Sequence, residues 1–426
     1  MNTSAQQPLL QDLRLPSTFH AENRRKLKGN LGSPALAVLA AGRAPRRTAD
    51  ENYPFFANRN FFYLTGVEQE NAILLMYQEG EKTRDILFLP PRDAMIERWN
   101  GKRLSREDGV ARSGLSEVEL LSSFEGIFCD LAARRPIHIW LDTSAENAQA
   151  AEIRSLVEKN CTGIEITDLA PCLTRQRMIK TPDEIALMRK AIELTGRGCQ
   201  AMLDILRPGL MEYHLWNAFQ STLADEGILT PAFASIVASG ENAFCLHYMT
   251  PRARINEGDL VQIDVGAIVG GLCADISRSY PASGRFTSRQ LAIYQLVREC
   301  QEAAFTAIKP GVQISEVNDR CKEVAKSGLI ELDIMSEEGQ VSDYFWHGTS
   351  HQLGLDVHDT ANREALIQPG MVLTVEPGIY VPEWQVGLRI EDNVLVTDRG
   401  CVNLSESIPR EAAEIENALQ NRSSQV

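Results

Sequence analysis

Residues 260–275 read Leu260-Val261-Gln262-Ile263-Asp264-Val265-Gly266-Ala267-Ile268-Val269-Gly270-Gly271-Leu272-Cys273-Ala274-Asp275, and the fold turns on how this stretch pairs with itself. Val261, Ile263 and Val265 fall on one face of an extended chain, which leaves Asp264 on the other. The glycines near 270 predict a tight turn and a second strand carrying Asp275. A turn at Val269-Gly270 sets Asp264 and Asp275 directly opposite, whereas a turn at Gly270-Gly271 sets them diagonally on a shared face. Cross-strand neighbours lie about 5 Å apart, where like charges repel, so either register calls for a cation or a shared proton.

Further along the chain the pattern recurs. Val372-Leu373-Thr374-Val375-Glu376 runs into Pro377-Gly378, and Gly387-Leu388-Arg389-Ile390-Glu391-Asp392 puts Arg389 and Glu391 on one face. Between the two acid pairs lie His347-Gly348-Thr349-Ser350-His351 and then His358. With His247, four of the seven histidines fall within residues 247–358. Taken singly, a strand carboxylate is ordinarily solvated and a histidine ordinarily structural. Together, four strand-borne acids and a histidine cluster make an oxygen-rich set that balances two divalent cations. Such a set favours manganese, with cobalt or zinc as alternatives, over structural zinc held by thiolates. Paired ions of this kind serve hydrolysis.

The 426 residues, 44% hydrophobic and 23% charged, have ordinary globular usage and enough length for two or three domains. The formal charge of −14 disfavours nucleic acid and anionic membranes as partners. Nine scattered cysteines without CxxC spacing suit reduced thiols. The polar N-terminus lacks a signal-peptide core, and the apolar run Ala35–Ala41 is far too short to span a bilayer, so a cytoplasmic location is expected. No GxGxxG or GxxxxGK[ST] is present, which argues against nucleotide-phosphate chemistry.

An α/β (α+β) architecture follows from the order of apolar runs. Ala35–Ala41, Ala72–Met76, Ile86–Leu89 and Ile137–Leu141 read as buried strands of a first domain over 15–165, with a linker over 166–182. Thr181-Pro182-Asp183-Glu184 is a capping box that opens a long helix with Ile185, Met188 and Ile192 on its apolar face. Helix, Arg207-Pro208-Gly209 and helix recur about a hundred residues later as helix, Lys309-Pro310-Gly311 and helix, each pair followed by strands bearing acids. That echo predicts two similar halves about a pseudo-two-fold axis over 183–415.

These motifs, in this order, resemble the pita-bread metallopeptidases, and within them aminopeptidase P and prolidase. The likeness runs through Asp264-Val265-Gly266, Asp275-Ile276-Ser277-Arg278, His347–His351, Val357-His358-Asp359, Glu376-Pro377-Gly378 and Arg389–Asp392. It extends to Phe61–Gly66, Arg177–Pro182 and Ser239–Asn242, and so spans residues 15 to 415. The resemblance implies a non-catalytic N-terminal domain and a pita-bread catalytic domain. It implies metal ligation by Asp264, Asp275, His351, Glu376 and Glu391, with Asp275 and Glu391 bridging. It further implies that His247 touches the reacting peptide group, His358 holds the proline side and His347 lines the same pocket. Glu376 moves a proton, and Arg389 orients ligand carboxylates. The implied activity is removal of the N-terminal residue before proline by metal-bound hydroxide, in a dimer or tetramer acting on proline-containing peptides. An Xaa-Pro dipeptidase and a non-catalytic pita-bread binding protein are the alternatives. Ser277, Ser279 and Leu272 depart from common family residues, and none of these changes removes a ligand.

Overall fold

The computed structural model describes residues 9–421 apart from 135, 137, 144–147 and 338. The chain divides into two compact units, residues 14–176 and residues 9–13 with 177–421. No helix among the described residues is long and apolar enough to cross a membrane.

In the unit formed by residues 14–176 the strands are β1 (Ala35–Ala40), β2 (Ile73–Glu79), β3 (Lys82–Leu89), β4 (Glu117–Leu120), β5 (His138–Leu141) and β6 (Ile166–Asp168). They form one mixed sheet in the order β4-β3-β2-β1-β5-β6. The helices are α1 (Ser17–Lys28), α2 (Arg59–Thr65), α3 (Ala94–Asn100), α4 (Arg106–Ser113), α5 (Phe124–Ala132), α6 (Ala148–Asn160) and α7 (Ala170–Met178). β1 is buried at every position, as expected of an apolar run that does not alternate. It pairs antiparallel with β2 and parallel with β5. Leu36, Val38, Leu75, Phe88, Phe124 and Phe128 pack one core here, with Phe88 and Phe124 edge-to-face at 5.2 Å. The expected strand start at Ile137 lies outside the described residues. The expected linker over 166–182 is not a free connection. Ile166 pairs with Ile139 in the sheet, and α7 follows at once. A three-residue strand with one apolar side chain leaves no periodic signal in the sequence.

In the second unit α8 (Pro182–Ile205) begins at the Thr181 cap, whose side chain accepts from the Glu184 amide while Glu184 accepts from the Thr181 amide. α9 (Glu212–Asp225) returns alongside it. β7 (Ile236–Ser239), β8 (Leu260–Val265), β9 (Ile268–Val269), β10 (Leu272–Cys273) and β11 (Ile276–Pro281) complete the first half. The second half repeats the order with α10 (Ser288–Ala307), α11 (Ile314–Glu331), β12 (Val372–Val375), β13 (Gly378–Val381), β14 (Val386–Arg389), β15 (Asp392–Thr397) and β16 (Gly400–Asn403), closed by α12 (Ala412–Asn421). Two three-stranded sheets result, β11-β8-β7 and β12-β15-β16.

Register decides where the acids go. Val269 pairs with Leu272, so Gly270-Gly271 is the turn, and both glycines have positive φ (59° and 91°) as a type I′ turn demands. Asp264 pairs with Ser277, which sets Asp264 and Asp275 diagonally rather than opposite. The hairpin is drawn tight at Gly266, where a Cβ atom would lie 1.9 Å from the Ala274 carbonyl oxygen. In the second half the register pairing Val375 with Asp392 and Gly378 with Arg389 places Glu376 opposite Glu391.

Candidate metal centre

Each acid stands at a strand end for a local reason. Asp264 is the penultimate residue of β8 and Glu376 follows the last residue of β12. Asp275 and Glu391 immediately precede β11 and β15. Backbone bonds tie the two hairpins together. The Glu391 amide donates to Ser277 O at 3.0 Å, and the Asn393 side chain accepts from the Asp275 amide (3.1 Å) and donates to its carbonyl (2.6 Å). The fully buried Arg278 donates to the carbonyls of Glu391, Ile408 and Pro409 and pairs with Asp392 Oδ1 at 2.9 Å.

Asp264, Asp275, Glu376 and Glu391, the histidines 247, 347, 351 and 358, and Arg389 all line one cavity of about 960 Å³. Ligand atoms of Asp275, His351 and Glu391 lie within 4.8 Å of one another. His351 Nε2 is 3.3 Å from Glu376 Oε1 and 3.5 Å from Asp275 Oδ2. Its Nδ1 lies 2.9 Å from the Gln352 carbonyl, an arrangement that puts the proton on Nδ1 and leaves the Nε2 lone pair facing the acids.

The electrostatics are those of an acid cluster short of positive charge. Burial, reinforced by Asp264 and Glu376, pushes the Asp275 carboxyl well above the ordinary range. Burial and then Asp275 do the same to Glu391. Among the described residues Arg389 is the only arginine or lysine paired with any of the four. It donates from Nη2 to Asp264 Oδ2 and from Nε to Ser277 Oγ at 2.8 Å. Burial works against its charge, but Asp264 and its neighbours outweigh burial and hold the guanidinium protonated. Ser277 Oγ in turn donates to Glu391 Oε2 at 2.9 Å. Asp264 Oδ1 and Glu391 Oε1 are buried without a hydrogen-bond partner. Two orphaned carboxylate oxygens, a histidine lone pair and four clustered acids fit hard divalent cations.

The histidines divide by their partners. His347 is engaged at both nitrogens, with Nδ1 2.9 Å from Gly348 O and Nε2 3.0 Å from Tyr380 Oη. Tyr380 Oη also accepts from Arg389 Nη1 at 3.3 Å. Burial lowers His347 below the ordinary histidine value and lifts the Tyr380 phenol to about 12. His358 stacks edge-on against His351 at 4.5 Å, and burial first, then the proximity of the His351 ring, lowers it too. His247 is exposed at the cavity wall.

Several contributors were not legible in the sequence. Asp359, next to His358, is buried and receives Arg177 Nη2 and Lys180 Nζ, the latter at 3.2 Å. Burial would raise its carboxyl, but those two cations hold it below the usual range. Tyr380, Ser277 and Asn393 are common strand residues whose roles appear only once the register is known.

Comparison with known proteins agrees with this geometry. The model for metallopeptidase family M24 matches residues 186–398, and that for the aminopeptidase P N-terminal domain matches residues 20–140. The Xaa-Pro aminopeptidase of Haemophilus influenzae is 33% identical, over 95% of this chain and 98% of that one. The Xaa-Pro aminopeptidase of Escherichia coli is 32% identical, over 92% and 95%. The solved structure of Escherichia coli aminopeptidase P with the inhibitor Pro-Leu superposes with a TM-score of 0.91 at 31% identity, covering 97% of this chain and all of that one. The zinc-substituted enzyme with product gives 0.90 at 31% identity, over 96% and 99%. On the extent of these matches, the chain belongs to metallopeptidase family M24 and carries an aminopeptidase P N-terminal domain ahead of its pita-bread domain.

Proposed function

We propose that this protein is an Xaa-Pro aminopeptidase, a hydrolase that removes the N-terminal residue from peptides with proline second. It would work with two divalent cations held by Asp264, Asp275, His351, Glu376 and Glu391. The observation that supports it best is the convergence of four strand-borne carboxylates, one histidine lone pair and three further histidines on one cavity. Manganese is the ion that this oxygen-rich set favours, with cobalt or zinc as alternatives. When bound, such ions polarise a carbonyl and lower the pKa of water.

The chain's own groups do the rest. Arg389 fixes one oxygen of Asp264 and leaves the other facing the cage, and through Ser277 it does the same for Glu391. Thr374 Oγ1, 3.3 Å from Glu376 Oε1, orients that carboxylate, which carries a proton toward the leaving proline nitrogen. Proline forms a tertiary amide without N–H and with φ fixed, so a pocket shaped to its ring accepts what general peptidases reject. His247 and His358, whose ring nitrogens have no hydrogen-bond partner among the described residues, are free to meet the peptide. His347 keeps the Tyr380 hydroxyl in place. In this reading residues 15–165 are the non-catalytic domain and 183–415 the catalytic one. All nine cysteines are free thiols, which suits a cytoplasmic enzyme. Trp99, 83% exposed on α3, offers an apolar contact for a second copy in a dimer or tetramer.

The test is a panel of Xaa-Pro-Xaa tripeptides, Xaa-Pro dipeptides and proline-free controls, run on stripped protein with manganese, cobalt or zinc restored separately. Release of the first residue from the tripeptides, dependent on added ion, is expected. Cleavage of dipeptides alone makes the protein a dipeptidase, and no cleavage under any ion makes it a binding protein.

A further inference from the structure

Glu212 is a carboxylate for which the site described above has no use. It is completely buried at the first turn of α9, without a basic partner among the described residues. Its two oxygens accept five hydrogen bonds. Oε1 takes the Ser239 amide (2.8 Å), Ser239 Oγ (2.8 Å) and Asn242 Nδ2 (2.9 Å). Oε2 takes Tyr248 Oη (3.0 Å) and the Ala253 amide (2.9 Å). Every donor comes from residues 239–253, the arc that leaves β7, carries His247 and returns toward β8. Two backbone amides, two hydroxyls and the Asn242 side-chain amide saturate both oxygens, so the carboxylate acts as a hub for that arc.

The internal repeat shows that the helix start itself does not require this acid. Pro208-Gly209-Leu210-Met211-Glu212 corresponds to Pro310-Gly311-Val312-Gln313-Ile314. Both turns clamp the end of a histidine-bearing segment in the same way. The amides of Gly209 and Gly311 donate to the carbonyls of Ile255 and Ile367, and the amides of Ile255 and Ile367 donate back to Leu210 and Val312. Isolated bridges join Met211 to Arg254 and Gln313 to Leu366. Where the first half has the buried Glu212, the second has the apolar Ile314 on the cavity wall. The difference between the halves therefore lies in the arc, not in the helix.

We propose that Glu212 is a positioning residue for the reaction, gathering residues 239–253 so that His247 is presented to the bound peptide. This rests on the role of His247 proposed above. Glu212→Gln replaces one oxygen by an NH₂ group. Whichever way the amide turns, that group faces a backbone N–H, of Ser239 or of Ala253, and the hub is broken.

On the manganese-loaded full chain, kcat for an Xaa-Pro tripeptide is expected to fall roughly tenfold or more, with KM and bound metal little changed. In a His247→Ala background the same substitution is expected to change kcat by less than about twofold, because its effect acts through that ring. In metal-free protein, amide hydrogens of residues 240–253 are expected to exchange roughly tenfold faster, while those of β8 stay as they were. An equal loss of kcat with and without His247, or unchanged exchange in the arc, overturns the proposal. Should Glu212→Gln fail to fold, Tyr248→Phe, which removes a single donor, carries the same cycle and the same exchange measurement, with a loss of a few fold. If the parent chain cleaves no Xaa-Pro peptide, the enzymatic reading fails while the exchange result still decides whether Glu212 organises the arc.

Discussion

Replacing Gly266 by alanine tests the hairpin that brings Asp264 and Asp275 together. The new methyl would sit 1.9 Å from the Ala274 carbonyl oxygen and 2.8 Å from the Phe233 ring, where real contacts of this kind stay beyond 3.0 Å. The carbonyl must therefore retreat by more than 1 Å, and it is not the loose end of a side chain. The Ala274 amide donates to Ala267 O at 2.9 Å, the Cys273 amide to Gly354 O at 2.9 Å, and Gly266 O accepts from the Ala232 amide at 2.9 Å. Overpacking of this sort costs about 1–3 kcal/mol, and here the upper end is expected because backbone rather than side chain must move. The displaced atoms adjoin Asp275, and misplacing a reacting group by about 1 Å costs roughly 100-fold in rate. Urea unfolding of metal-free protein reads the first effect, and titration calorimetry with Mn²⁺ plus kcat/KM reads the second. Gly348→Ala is the control. It lies in the histidine motif, but its methyl would meet nothing within 4 Å, so metal-free stability should stay within about 0.5 kcal/mol of the parent. A Gly266→Ala protein with parental stability and full ion binding would refute the argument that the close approach at Ala274 sets the spacing of the acids.

Three further outcomes are expected. Glu391→Ala should lose at least one ion by elemental analysis and nearly all turnover, since it faces both Asp275 and Glu376; full activity with full metal content would contradict its placement in the cage. His358→Ala should keep its metal while turnover falls sharply, and loss of metal instead would move that ring into the ligand set. His20, buried against the Tyr63 carbonyl, is lowered by burial from 6.5 to about 4. A depressed histidine contributes stability that is complete above its unfolded value and lost as pH falls through the folded one. The stability of the unit formed by residues 14–176 should therefore fall by about 3 kcal/mol as pH goes from 6.5 to 4. His20→Gln should flatten that slope, and an unchanged slope would assign it to other groups.

What was legible in the sequence was local. The Thr181 capping box needs a spacing of three residues and nothing else, and α8 begins where that spacing says. The acids stood out because each interrupts an apolar strand, and the histidines because four of seven fall within residues 247–358, among the acids. The two turns the glycines allowed could not be told apart from composition. The backbone settles the matter because positive φ is needed at both Gly270 and Gly271. Glu212 stayed hidden because an acid in the first turn of a helix is commonplace, and its five donors lie 27 to 41 residues away. Asp359 stood within a recognised motif, but its role could not be read until Arg177 and Lys180, some 180 residues earlier, proved to be its partners. β6 was lost because three residues are too few to show a period.

The acids and the histidines reach the cavity by different routes. The acids sit at strand ends stitched by Asn393 and Arg278, whereas His247 and His358 ride on arcs anchored at their bases by Glu212 and Asp359. If the acids hold the ions and these histidines meet the peptide, as proposed, two tasks are written into separable parts of one polypeptide. Mutations that lengthen, shorten or redecorate an arc would then retune which peptides are taken while the ion cradle goes on being inherited intact. A lineage built this way has room to change its diet without first losing its chemistry.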